Sequence, residues 1–110
     1  MALPAKTHQV RIQREAIDEL DRIYRYIFND SPGRARKFIK ALKNKILELQ
    51  RFPQRGSRAR ILDPEISSFE IRFLEFQGHL IFYTANTKTV YVLHIASPGQ
   101  DWQSMISLLA

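Results

Sequence analysis

The sequence predicts a two-layer α+β fold, in which an antiparallel pair of helices covers one face of a mainly antiparallel sheet. Two amphipathic helical segments stand together in the first half of the chain. Alternating segments separated by turn residues fill most of the second half, and another precedes the helices. A half-buried sheet needs its apolar face covered, so the predicted order is β-α-α-β-β-β, with a short C-terminal helix.

The first two predicted elements are a short strand and a long helix. Residues 8–13 alternate polar and apolar side chains, as a half-buried strand does. From Arg14 to Asn29 the apolar residues recur at spacings of three and four, which predicts one buried stripe on a helix. The residues of this predicted stripe are Ile17, Leu20, Ile23, Tyr24, Ile27 and Phe28.

A second helix follows a short breaker segment. Ser31 is a predicted N-cap, and Pro32 suits the first helical position because the missing N–H has no helical partner there. Helical spacing continues to Gln50, and Pro53 with Gly56 ends the run. Because the linker is so short, the two helices are expected to form an antiparallel hairpin. The apolar stripe of the second helix comprises Ala35, Phe38, Ile39, Leu42, Ile46 and Leu49.

The second half of the chain has the composition of short strands joined by turns. Residues 77–78 and 86–88 are turn signals, and the segments that they join are expected to form an antiparallel meander. The predicted strands cover residues 59–62, 69–73, 79–85 and 90–95.

The tail predicts a last helix. Residues 97–99 break the final strand, and Asp101 is a predicted N-cap. The apolar residues expected to pack this helix onto the body are Trp102, Met105, Ile106 and Leu109.

Length and composition fit one globular domain over residues 1–110. The chain has 45% hydrophobic and 25% charged residues, the usual proportions of a globular domain. With 0 cysteines it has neither disulfides nor zinc–thiolate sites, so a reducing cytoplasm is the expected compartment. The start lacks the apolar core of a signal peptide, and no run approaches the ~20 apolar residues of a membrane span. No membrane association is therefore expected.

The charge is unevenly distributed. The 17 Lys and Arg residues outnumber the 11 Asp and Glu residues. Most of the excess lies between Gly33 and Arg60, where Glu48 is the only acid. Such a patch attracts a polyanion or an acidic protein segment. It is equally consistent with a solvated helix face that binds nothing.

No metal or cofactor site is predicted. The 3 histidines are scattered, there is no paired carboxylate spacing, and the 4 glycines are isolated, which argues against common metal-ligand patterns and a phosphate-binding loop.

The order of these elements resembles the RelE/ParE superfamily of toxins from bacterial type II toxin–antitoxin modules, and its ParE branch in particular. The resemblance runs from about His8 to Trp102. In the helical half it rests on residues 16–20, Tyr26-Ile27, Ala35, Phe38-Ile39, Leu49, Phe52-Pro53 and Gly56. In the second half it rests on Arg72, residues 80–83, residues 92–94 and Asp101-Trp102.

The resemblance implies a binding toxin that inhibits DNA gyrase and is silenced by a cognate, ParD-like antitoxin. It leaves open whether the toxin forms oligomers with itself or with the antitoxin. On this interpretation the target-binding residues are Arg72, His94, Asp101 and Trp102. The antitoxin-binding residues are Arg36, Lys37, Lys40, Lys43, Arg55 and Arg58.

Two alternatives stay open at this point. A RelE-like, metal-independent endoribonuclease acting on ribosome-bound mRNA would use Arg72 with His79 or His94 as acid or base. The position where RelE-like enzymes tend to carry another arginine is Leu80, and the ParE-like arginine before Asp101 is also missing. The other alternative is a plain nucleic-acid-binding module on the basic hairpin.

Overall fold

The computed structural model describes residues 8–59 and 70–101 and confirms the α+β class. Two helices pack on a five-stranded sheet. In chain order the elements are β1 (Gln9–Ile12), α1 (Arg14–Asp30), α2 (Pro32–Leu47), a 3₁₀ turn (Glu48–Gln50), β2 (Ser57–Arg58), β3 (Arg72–Phe76), β4 (His79–Ala85) and β5 (Thr89–Ala96). The predicted C-terminal helix, from Trp102 onward, lies outside the described residues.

The sheet has the order β1-β5-β4-β3-β2. Its last three strands form the predicted antiparallel meander, with β4 between β3 and β5. The sequence did not fix the place of β1, which lies beside β5 and pairs with it in parallel. A β-bulge interrupts the β4–β5 pairing after Phe82, where Phe82 lies opposite His94 and Tyr83 lies opposite Val92.

The buried face of α1 differs from the predicted stripe. Ile17 and Phe28 are 49% and 40% exposed, so their place in the stripe was wrong. The face against the sheet centres instead on Ala16, Leu20 and Ile23, whose spacing of four and three keeps them on one side. Glu19 is also buried on this side of α1, where the apolar stripe did not predict a charged residue.

The start of α2 agrees with the sequence and its end does not. The Ser31 hydroxyl accepts a hydrogen bond from the Arg34 backbone N–H at 3.2 Å, which confirms the predicted cap. The α-helix ends at Leu47 rather than Gln50, since the chain tightens into the 3₁₀ turn before the loop. Leu42 and Ile46 are buried against the sheet, as predicted.

One strand prediction was wrong in its bounds. β3 covers Arg72–Phe76 rather than beginning before Ile71, because the hairpin turn at Gln77-Gly78 fixes Phe76 opposite His79. Both turn residues have positive φ, 49° and 84°, as a two-residue hairpin turn requires. A short strand, β2, covers Ser57–Arg58; the strand predicted at residues 59–62 lies outside the described residues apart from Ala59, which follows β2.

The two faces of the sheet differ. The helices cover the face that carries Leu74, Ile81 and Ile95 in the main core. A second apolar cluster, centred on Phe82 and Ala96, lies on the other face because successive strand residues point to opposite sides. No helix within the described ranges is long and apolar enough to cross a membrane.

Candidate functional site

Among the residues that the structure describes, no strand lies on the outer side of the second half of β5. Pairing with β1 ends at Ile12, and the Gln13 backbone N–H makes the last bond, to the Val92 carbonyl at 2.9 Å. The chain then turns directly into α1 at Arg14. Residues 93–96 of β5 therefore form an edge, and an edge strand normally exposes unpaired backbone groups.

Glu19 of α1 covers this edge. Its Oε1 accepts the Ile95 backbone N–H at 2.8 Å and lies 3.2 Å from Nδ1 of His94. The Glu19 side chain is only 7% exposed and that of His94 only 14%. A buried carboxylate is tolerated only where donors surround it, and here it replaces the missing strand. We call Glu19, His94 and Ile95 the β5 cap.

Sequence reasoning missed Glu19, although a signal was present. Glu19 lies three residues after Ala16 and four before Ile23, so it falls on the buried side of α1. An acid in an apolar stripe indicates a polar partner on the packed surface. His94, which the sequence offered as a target-binding residue or as an acid or base, contacts the Glu19 carboxylate.

A groove of about 790 Å³ opens beside the β5 cap. It runs between α1 and the sheet, where Ile23, Ile27 and Ile95 give it an apolar floor. Tyr26 stands at its rim with 80% of its surface exposed, and Arg22 lies one turn away. We call this surface the α1 groove. It combines apolar area with an uncovered aromatic ring, the usual composition of a docking surface.

His79 lies where the α1 groove meets a smaller one of about 440 Å³, which is lined in part by Lys37. His79, which the sequence offered as an alternative acid or base, begins β4, and its ring centroid lies 5.2 Å from that of Phe38. Its Nδ1 is buried and has no hydrogen-bond partner among the residues that the structure describes. A buried polar atom of this kind is satisfied when another molecule supplies the missing group.

Arg72 lies elsewhere, at the far end of the sheet, beneath the loop that follows the 3₁₀ turn. Its Nη1 donates to the carbonyl oxygens of Gly56 at 2.7 Å and Gln54 at 3.3 Å. Its Nε pairs with the Glu70 carboxylate at 2.7 Å, and the side chain is 18% exposed. The guanidinium is thus engaged from three sides by the protein itself.

Tyr83 completes the attachment of the loop. Its fully buried hydroxyl accepts the Gly56 backbone N–H at 2.8 Å. A Cβ on Gly56 would come within 2.6 Å of the Phe73 carbonyl oxygen and 2.7 Å of the Tyr83 hydroxyl, so only glycine fits. Burial raises the pKa of Tyr83 above its ordinary 10.0, although the bond from Gly56 and the charge of Arg72 act in the opposite direction. We call Gly56, Tyr83 and Arg72 the Gly56 anchor.

The anchored loop presents a turn at residues 52–55. The Arg55 N–H donates to the Phe52 carbonyl at 3.1 Å, and the Arg55 guanidinium lies 5.0 Å above the Phe52 ring. The same guanidinium pairs with Glu48 at 2.7 Å. Phe52 itself is 50% exposed. We call this segment the Phe52–Arg55 turn.

The structure does not bring the predicted target-binding residues into one cluster. Arg72 contacts the loop and His94 contacts α1, and β4 lies between their strands. Asp101 is exposed, and Trp102 lies outside the described residues.

The predicted antitoxin-binding residues divide into two groups. Arg55 pairs with Glu48, and Arg58 with Glu70 at 3.4 Å. The residues on α2 are all exposed and make no ion pair with any residue that the structure describes; they are Arg36, Lys37, Lys40 and Lys43.

Comparison with known proteins identifies the family. Residues 10–102 match the family model described as ParE toxin of type II toxin-antitoxin system, parDE. The chain belongs to the ParE toxin family. No curated protein sequence matches this ParE toxin significantly. A chain in the solved structure of the chromosomal ParDE TA system from P. aeruginosa is similar to it with a TM-score of 0.66 and 20% identity, over 86% of this chain and 99% of that one.

Within residues 8–59 and 70–101 of this ParE toxin, no group of three or more His, Asp or Glu side chains is arranged to hold a metal ion.

We predict that the Glu19→Ala variant lowers the free energy of unfolding by about 1–3 kcal/mol, because the buried Ile95 N–H and His94 lose their acceptor. The matched control is Asp18→Ala on the exposed side of α1, expected to stay within about 0.5 kcal/mol. Chemical denaturation measures both. Equal effects of the two substitutions would contradict the capping role of Glu19.

We predict that Tyr83 makes stability sensitive to alkali. A raised pKa favours the neutral phenol in the folded state, so this contribution is complete below pH 10.0 and is lost as the pH rises through the folded-state pKa. Tyr83→Phe, which also loses the bond from Gly56, should reduce stability at neutral pH by about 1 kcal/mol. Its unfolding free energy should then fall less between pH 9 and about pH 11 than that of the wild type. Parallel curves of unfolding free energy against pH for the two proteins would contradict the raised pKa of Tyr83.

Proposed function

We propose that this ParE toxin stops bacterial growth by binding DNA gyrase and that a cognate antitoxin neutralises it. The observation that carries the proposal is the family match over residues 10–102, to which the two-helix, five-stranded fold adds support. The order of the elements predicted from the sequence resembles the same ParE branch of the superfamily. The proposed cellular site of action is the cytoplasm, where gyrase and DNA are found.

The contacts of the basic residues favour binding over RNA cleavage. A metal-independent ribonuclease needs a cation at the phosphate and an acid or base beside it. Arg72 is already held by two carbonyl oxygens and Glu70, and His94 by Glu19. These two side chains also lie apart, with β4 between their strands. Neither is therefore poised for a scissile phosphate.

The α1 groove suits the antitoxin. Its apolar floor and the exposed Tyr26 ring fit the apolar side of an amphipathic helix. A strand is a poorer fit, because Glu19 already occupies the Ile95 N–H that an added strand would use. Arg22 lines the α1 groove and Lys37 the smaller groove that shares His79 with it, and neither makes an ion pair with a described residue. Acidic side chains on the helix would meet them, and the basic side of α2 would extend the same contact.

We predict that purified gyrase incubated with this chain and ATP accumulates cleaved DNA, and that expression of the chain alone arrests growth with a DNA-damage response. A gyrase poison of this type acts by binding, so messenger RNA should stay intact. In-frame cuts in transcripts, with uncleaved plasmid, would instead establish the ribonuclease alternative. Absence of both effects would contradict the toxic function itself.

We predict that Arg22→Glu and Lys37→Glu each weaken binding of the cognate antitoxin about tenfold or more, because like charges then meet across the interface. The matched control is Lys88→Glu, the same charge change in the exposed β4–β5 turn, which should leave the affinity within about twofold. Calorimetric titration at moderate salt measures all three. A uniform effect of the three reversals would show that only net charge matters and would contradict the groove assignment.

A further inference from the structure

We propose that the Phe52–Arg55 turn is a preformed surface by which the toxin contacts its protein target, and that Tyr83 and Arg72 are positioning residues for that turn. The inference rests on the proposed function, since it names the surface that would engage gyrase. It assigns to Arg72 an indirect role in place of direct contact with the target, and it places Arg55 on the target surface in place of the antitoxin-binding surface that the sequence predicted.

Phe52 is half exposed, although backbone hydrogen bonds order the loop that carries it. Pro53 follows immediately and restricts the backbone of the turn. The Arg55 guanidinium lies over one face of the ring. Aromatic rings and arginines are the residues most enriched at the centres of protein interfaces.

The Gly56 anchor fixes the turn before any partner arrives. Both backbone polar groups of Gly56 are used, the N–H by Tyr83 at 2.8 Å and the carbonyl by Arg72 at 2.7 Å. Arg55 adds its pairing with Glu48 from the preceding 3₁₀ turn. A surface that is already ordered loses less conformational entropy on binding, which raises affinity. The anchor thus explains why a buried tyrosine and a half-buried arginine serve a surface loop.

The charges of the loop favour a protein partner over nucleic acid. Arg55 pairs with Glu48, and Arg58 pairs with Glu70, so carboxylates stand beside both cations. Those carboxylates would repel a phosphate backbone, whose binding depends on uncompensated cations. A protein surface with an apolar pocket for the Phe52 ring fits the turn better, because Phe52 is half exposed and the neighbouring Arg55 already has its carboxylate partner.

The turn is separate from the α1 groove. His79, at the groove, begins β4, whereas Tyr83 and the anchor lie toward the other end of that seven-residue strand. At about 3.3 Å per residue, His79 and Tyr83 are roughly 13 Å apart along the strand. Substitutions in the turn are therefore expected to affect the target and spare the antitoxin.

The first test measures gyrase binding by the Phe52→Ala variant. We expect about a thirtyfold loss of affinity, the usual size of a central aromatic contact. The matched control is Leu47→Ala, because Leu47 at the end of α2 is 48% exposed and differs from Phe52 in lying outside the turn. It should bind as the wild type does. Wild-type affinity of Phe52→Ala, or an equal loss in both variants, overturns the proposal.

The second test separates positioning from general stability by a double-mutant cycle. Tyr83→Phe should weaken gyrase binding several-fold at a temperature where the variant is fully folded. In the Phe52→Ala background the same change should have almost no further effect, because both act through one surface. Additive losses would overturn the positioning role of Tyr83.

The remaining outcomes distinguish this inference from the proposed function. If the wild type arrests growth without binding gyrase, the gyrase proposal fails, and loss of arrest in Phe52→Ala but not in Leu47→Ala still supports the turn. If the wild type binds DNA alone and Phe52→Ala abolishes that binding, the choice of a protein partner is wrong. If the wild type neither binds gyrase nor arrests growth, both proposals are overturned.

Discussion

The contact on which this fold most depends is the hydrogen bond between the Glu19 carboxylate and the Ile95 backbone N–H. The first strand is too short to pair with the whole of β5, and the helix that follows it must therefore satisfy the remaining edge. A buried side chain that finishes a sheet ties the orientation of α1 to the sheet. The rotation of α1, with Ala16 inside and Ile17 outside, follows from this requirement.

The same arrangement separates two surfaces along β4. At one end the capped edge and α1 enclose a groove with an exposed aromatic rim and the unpaired His79 Nδ1. At the other end Tyr83 and Arg72 fasten a loop through Gly56. A toxin needs one surface for its target and another for the protein that silences it. A central strand buried along much of its length provides both with a rigid support.

Much of the architecture follows from local sequence patterns, and the site does not. The helical hairpin, its Ser31 cap and the three-stranded meander follow from periodicity and turn residues. The parallel place of β1 depends on contacts between distant parts of the chain, which periodicity does not report. Arg72 was predicted as a target contact from the family resemblance, and its contacts with the Gly56 and Gln54 carbonyl groups could not be predicted, because backbone positions do not show in the sequence pattern. Glu19 was overlooked although its place in the apolar stripe indicated a polar partner, and the sequence pattern does not show that one partner is the Ile95 backbone N–H.

The most direct test of this account is to measure by NMR the hydrogen-exchange rate of the Ile95 backbone amide in the isolated chain. The account predicts that the Ile95 amide exchanges as slowly as amides paired between β4 and β5, and that Glu19→Ala accelerates its exchange specifically. Exchange of the wild-type Ile95 amide at the rate of an open strand edge would contradict it, because Glu19 would then not complete the sheet.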